Sequence, residues 1–239
     1  MSTRTPTLLS CTAILSIGGM GGGWAIASQL AGKEAGLSFL QFGGLVASVI
    51  FVALTVLYKM AERRVIYLIL FNVTFGVNLI WYTSCLFLPI FWMSSIDIRI
   101  KAGVGIFALC LYYANVVKGM RLFEIRWMSV EGDLLRRYYD RKNKILDWDS
   151  LVKSVKLNLS LYIPGVPEKT NPILCLVCIV SMLAGFSLRS LFPVYSVFAW
   201  GIPIIIINSI LVQMMGSGIS QVLMLYAMEK KDSVELRPV

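Results

Sequence analysis

The stretch AGLSFLQFGGLVASVIFVALTVLY, residues 35–58, contains no charged side chain. A helix needs about 20 apolar residues, each rising about 1.5 Å, to cross the hydrocarbon of a bilayer. A water-soluble helix of this length would show a charged face. This one shows none, so the stretch reads as a membrane span.

The same criterion, carried outward, predicts six spans. Uncharged runs cover residues 7–32 and 65–92 on either side of the first, and a shorter run covers 102–117. Lys101 and Lys118 bound that short run, and their long stems extend its reach by snorkelling to the interfaces. A fifth run covers 170–188, and a last one, 190–228, is too long for one simple crossing. Pro193 marks a turn, Pro203 predicts a kink, and Gly216-Ser217-Gly218 predicts a loosening. The expectation is one span over about 194–215, then a helical extension towards Glu229. The chain thus divides into a four-helix region (1–117), a polar segment (118–170), a two-helix region (171–228) and a tail (229–239).

Composition agrees. Hydrophobic residues make up 57% of the chain and charged ones 15%, where a soluble domain carries about 25% charged residues. Mean hydropathy is +0.75. The net charge of +9 then points to the anionic inner leaflet rather than to nucleic acid. If the N-terminus is cytoplasmic, the external loops hold only Lys33, Arg99, Lys101 and Arg189, and the other eighteen of the 22 basic residues face the cytoplasm. That bias is the positive-inside pattern, and it predicts both ends inside. Residues 1–32 have a weak resemblance to a signal peptide, with Arg4 in front and Ala25-Ile26-Ala27 behind. The apolar run is longer than the ~7–15 residues of such a leader, so a retained span is expected. The predicted fold class is all-α, polytopic, with six transmembrane helices, N-in and C-in, and a short cytoplasmic helical segment between the fourth and fifth. An inner (cytoplasmic) membrane of bacterial type is the expected location.

Chemistry is constrained by what the spans lack. No Asp, Glu, Lys or Arg lies in their apolar centres, and the chain contains no His. Ion-coupled carriers place ionisable groups at membrane depth, and intramembrane proteases and metal enzymes need acid pairs or ligand clusters. No enzyme activity and no cofactor are therefore expected. All five cysteines sit in apolar runs, and Cys175-Leu-Val-Cys178 lacks a second pair or flanking polarity, so neither disulfides nor a metal are expected. Gly32-Lys33 is followed by Glu34, which does not make a phosphate loop.

The polar groups within the spans are neutral: Gln29, Gln41, Asn72, Asn78, Asn115, Asn208 and Gln213. They are expected to hydrogen-bond between helices, or alternatively to line a pore or groove. Helix one repeats small residues every fourth position at Gly19, Gly23, Ala27 and Ala31, and helix two offers Gly43, Gly44 and Ala47. Small residues let backbones approach in lipid, either within the chain or between subunits.

The polar segment 118–170 carries eleven basic and seven acidic residues. Leu134, Leu135, Tyr138, Ile145 and Leu146 against Arg136, Arg137, Arg141, Lys142 and Lys144 suggest one amphipathic helix. A second, capped by Asp149, carries a stripe of Leu151, Val152, Val155 and Leu159. These helices would either lie on the anionic leaflet, anchored by Trp127 and Trp148, or form a docking site for a cytoplasmic protein. The functional expectation is a non-enzymatic membrane subunit that self-associates or joins a larger envelope assembly, of secretion, conjugation or defence type. The alternative is a channel or uncoupled small-solute carrier lined by Asn and Gln.

Overall fold

The structure is a computed structural model in which residues 4–140, 142–232 and 235–238 are described. The helices are α1 (Arg4–Ala31), α2 (Lys33–Ala61), α3 (Val65–Ser84), α4 (Ile98–Tyr138), α5 (Trp148–Val155), α6 (Asn171–Leu188) and α7 (Pro193–Asp232). Three two-residue strands accompany them: β1 (Tyr139–Asp140), β2 (Ile145–Leu146) and β3 (Arg237–Pro238). All the helices except α5 are long and apolar enough to cross a membrane. The fold is an all-α bundle whose six long apolar helices fit a multi-pass membrane protein.

A single residue, Gly32, separates α1 from α2. Its φ of 95° is open to glycine and strained for other residues. On α2 the residues Phe39, Gly43, Ala47, Ile50 and Leu54 recur at helical spacing and are buried. Leu45, Val49 and Val52 of the same helix are exposed. Apolar residues inside and out are what a helix solvated by lipid needs.

The centre of the bundle is α7. In its most apolar stretch 67% of α7 is buried, whereas the other five spans reach at most 28%. α3, α4 and α6 pack around it, while α1, α2 and α3 form a second group. Tyr112, Asn115 and Glu124 of α4 meet Asn208, Gln213 and Ser220 of α7 in that order, so these two helices run parallel. Thr83 reaches Asn208 while Arg64, ahead of α3, reaches Glu229, so α3 runs antiparallel to α7.

Several boundaries differ from the sequence-based expectation. α3 stops at Ser84, short of the expected residue 92. The chain then forms a 3-10 turn, Leu88–Trp92, which tucks Trp92 against Phe39 and Phe42. α4 does not stop near residue 117 but continues unbroken for 41 residues to Tyr138. α7 likewise passes through Pro203 and Gly216-Ser217-Gly218 as one helix, because those glycines are held by neighbouring helices.

The amphipathic helix expected over 134–146 is not formed. The helix ends at Tyr138, and β1 and β2 pair antiparallel. The Asp140 carboxylate closes the turn between them by accepting from the backbone N–H of Lys142 and Asn143 and from the Asn143 amide. These bonds hold the Asp140 carboxyl below its usual pKa, the Asn143 side chain contributing most. The cap of α5 is Asp147, not Asp149, its carboxylate accepting from Ser150 N–H at 3.1 Å. α5 ends where Lys156 turns left-handed, which leaves Leu159 outside the helix.

Trp127 and Trp148 do not anchor to an interface. Both are buried in a core formed by Val65, Ile69, Phe123, Leu151, Val155, Leu225 and Leu236. The apolar face of α5 found α3, α4 and α7 instead of lipid. β3 joins the same end of the bundle, pairing parallel with β2.

Candidate functional site: a neutral polar seam along the central helix

A one-sided set of polar residues runs down α7. Asn208, Ser209, Gln213, Ser217, Ser220, Gln221 and Glu229 are all buried, at intervals that keep most of them near one face. In lipid a buried amide needs a partner inside the protein, and most of the seam has one; among the described residues Ser209 Oγ and Gln213 Oε1 are buried without one.

At the first level the Asn208 carbonyl accepts from Thr83 Oγ1 at 2.8 Å, and its amide nitrogen lies 3.4 Å from Ser84 Oγ and from Tyr112 Oη. Three helices are tied there by one side chain. At the second, Gln213 Nε2 donates to Asn115 Oδ1 at 2.6 Å and to the Ser160 carbonyl at 2.7 Å. Asn115 in turn donates to the carbonyls of Leu111 and Tyr162. At the third, Gln221 accepts from Trp148 Nε1 at 3.2 Å, and Ser220 donates to Glu124. At the end, Glu229 binds Arg64 at 2.6 Å and accepts from Leu236 N–H at 2.9 Å. Hydrogen bonding by Glu229 holds the Arg64 guanidinium above its ordinary pKa, so it stays charged.

Two glycines bring the seam together. A Cβ on Gly119 would collide with the Gln213 carbonyl, and one on Gly216 would collide with the Val116 carbonyl. Each glycine of one helix thus faces backbone of the other, at the level where Gln213 meets Asn115. Gly218 instead faces a side-chain methyl of Val73 on α3.

Between α5 and α6 the chain has no long helix. Residues 156–167 form an extended strap whose carbonyls are held by side chains: Leu161 O by Asn171, Ser160 O by Gln213 and Tyr162 O by Asn115. Lys118 pairs with Glu168 and lies 4.3 Å from the Tyr162 ring centroid. This lysine is a latch for the strap rather than a snorkelling residue alone. Irregular backbone near membrane depth is tolerated when protein groups satisfy it in this way.

No protein family, curated protein or solved structure matches this chain.

Of the seven neutral polar residues singled out in the sequence, Asn78, Asn115, Asn208 and Gln213 are buried and hydrogen-bonded. Asn78 accepts from Ser16 of α1 at 2.8 Å. Gln29, Gln41 and Asn72 are exposed. A Cβ on Gly19 would come within 3.2 Å of Tyr82, Gly23 lies against Phe39 and the Cys85 carbonyl, and Ala27 is fully buried. Gly43 touches Met20 and Trp81, and Ala47 is buried. Ala31 is half-buried, and Gly44 has open space beside it. Most of the small-residue stripe therefore packs within this one chain.

Arg136 and Arg137 lie on the last turn of α4, and Lys142 and Lys144 on the turn between β1 and β2; all four are exposed. Arg141 lies outside the described residues. Among the described residues no three His, Cys, Asp or Glu side chains converge as a metal site would require. Cys175 is exposed on α6 and Cys178 is buried. Sequence reasoning missed Thr83, Ser84, Tyr112, Gly119 and the strap, because their partners lie on helices distant in sequence. Glu229 left a signal: it is an acid at the end of a 39-residue uncharged run, where a buried charge demands a basic partner.

Proposed function

We propose that this protein is a non-enzymatic subunit of a larger membrane assembly, seated in a bacterial-type inner membrane with both chain ends in the cytoplasm. One observation carries the reading. The polar segment is folded onto the bundle as a packed tip, and its exposed face carries Arg136, Arg137, Lys142 and Lys144 without an acidic partner among the described residues. An exposed basic face of this kind is complementary to an acidic protein partner. Most of the helix-one stripe packs internally, so the tip is the better candidate for assembly contacts.

The protein extracted from its native membrane in mild detergent should migrate as a species larger than the monomer. Exchanging Arg136, Arg137, Lys142 and Lys144 for Glu should return it to monomer size without loss of membrane insertion. An unchanged size in that variant would end the reading. The seam's amides bond one another rather than face an open path, so purified protein in liposomes should pass no current. Conductance above that of empty vesicles would favour the channel alternative.

A further inference from the structure

A cavity of about 500 Å³ lies between α3 and α7 and is floored by the strap through Leu157 and Leu159. That is the size of a small-ligand pocket, ~300–1,000 Å³. Its walls are apolar, with Phe75, Leu79, Met214 and Met215 prominent among them, and polar groups enter only at Asn72, Ser217 and Gln221. The Ser217 hydroxyl is used, since it donates to the Met214 carbonyl of its own helix. The Gln221 carbonyl accepts from Trp148, but among the described residues neither its amide nitrogen nor the Asn72 amide has a partner.

These two amides lie at the same end. Gly218 faces Val73 and Gly76 faces Met215 across the helix pair, which puts Asn72 within a turn of Gln221 and Leu79 within a turn of Leu211. The cavity is therefore amphipathic along its length, with amides towards the basic tip and hydrocarbon away from it. Ten residues of α7 separate Gln221 from Leu211, about 15 Å of rise. That is half of a hydrocarbon core ~30 Å thick, the depth of one leaflet. Both lining helices are long and apolar enough to cross the membrane, and Met214 is 52% exposed, so the cavity opens sideways, where lipid is the neighbour. An amide facing hydrocarbon unpaired is costly, and an apolar void excludes water.

We propose that this cavity holds one acyl chain of a phospholipid from the leaflet on the side of the tip, its ester carbonyl accepting hydrogen bonds from Gln221 and Asn72. The full-length protein would be reconstituted into vesicles of phosphatidylethanolamine and phosphatidylglycerol with deuterated oleoyl chains. It would then be extracted in mild detergent and weighed by native mass spectrometry. One deuterated phospholipid should remain on the wild type. Met214→Trp, which fills the cavity from its exposed side, should lower the retained fraction about tenfold, with thermal unfolding showing whether the variant folds. Leu157→Trp fills it from the strap and decides the matter if the first variant fails to fold. Asn72→Leu combined with Gln221→Leu should also lower retention by removing the ester's donors. Wild type free of phospholipid, equal retention in a folded filling variant or in the double leucine variant, or retention of added deuterated palmitate in place of phospholipid would each overturn the proposal.

Discussion

Gly119 and Gly216 are the residues on which the α4–α7 pair depends, because each takes the other helix's backbone where a side chain would stand. Nothing else on either helix could fill that role, since even one methyl group meets a carbonyl oxygen that cannot retreat. Gly119→Ala and Gly216→Ala should each destabilise the protein by about 1–3 kcal/mol through overpacking, seen as a lowered unfolding temperature in detergent. Gly44→Ala, which meets nothing within 4 Å, should leave that temperature unchanged or raise it, since alanine favours helix. Equal effects at all three positions would contradict the crossing described. The contact that this crossing brings together is testable separately. A double-mutant cycle on Asn115→Leu and Gln213→Leu should give a coupling of about 0.6–1.7 kcal/mol, the range of interhelical bonds in membranes. A coupling of zero would mean that the two amides do not meet.

α5 illustrates how an element can carry a correct pattern and a misread partner. Its apolar stripe is plain in the sequence at Leu151, Val152 and Val155, but a stripe does not say whether lipid or protein covers it. In the structure Trp148 packs 6.2 Å from Trp127, ring to ring, and donates to Gln221. Trp148→Ala should therefore cost about 3–5 kcal/mol of stability, the usual penalty for deleting a buried tryptophan. It should also open the strap over residues 156–167 to limited proteolysis. If α5 instead floated on the leaflet, the same change would weaken vesicle binding and leave stability alone. The strap itself gave no sequence signal beyond Ile163-Pro164-Gly165-Val166-Pro167, because its hydrogen bonds come from Asn115, Asn171 and Gln213, each on a different helix.

At the scale of the whole molecule, the charge bias around six spans predicts which ends face the cytoplasm. In a cysteine-free background, single cysteines at Glu34, Asp97 and Ser190 should react with a membrane-impermeant thiol reagent in intact cells. Cysteines at Glu62 and Asn143 should be shielded until the membrane is opened. Labelling of Asn143 from outside would invert the orientation. The relative helix directions, α4 parallel to α7 and α3 antiparallel to both, fit alternating crossings in either orientation, so the labelling decides between them.

The sequence by itself determined which six stretches are long and apolar enough to cross a membrane, because the length of an uncharged run is a local property and the hydrocarbon thickness is fixed from outside. Periodicity showed the small-residue stripe of α1 and the apolar face of α5 for the same reason: each is written within one helix. Only the tertiary structure decided what those faces meet. Gly23 meets Phe39 within the chain, Trp148 meets Trp127 rather than the interface, and Asn208 holds Thr83, Ser84 and Tyr112 together. It also decided that α7 is the centre. In composition α7 is as apolar as its neighbours, with a mean hydropathy of 1.9 against 2.1 for α6, and hydrophobicity cannot separate a helix surrounded by helices from one surrounded by lipid. What separates them is the pairing of buried amides and glycines across the bundle, and those partners are fixed by the packing of helices far apart in the chain.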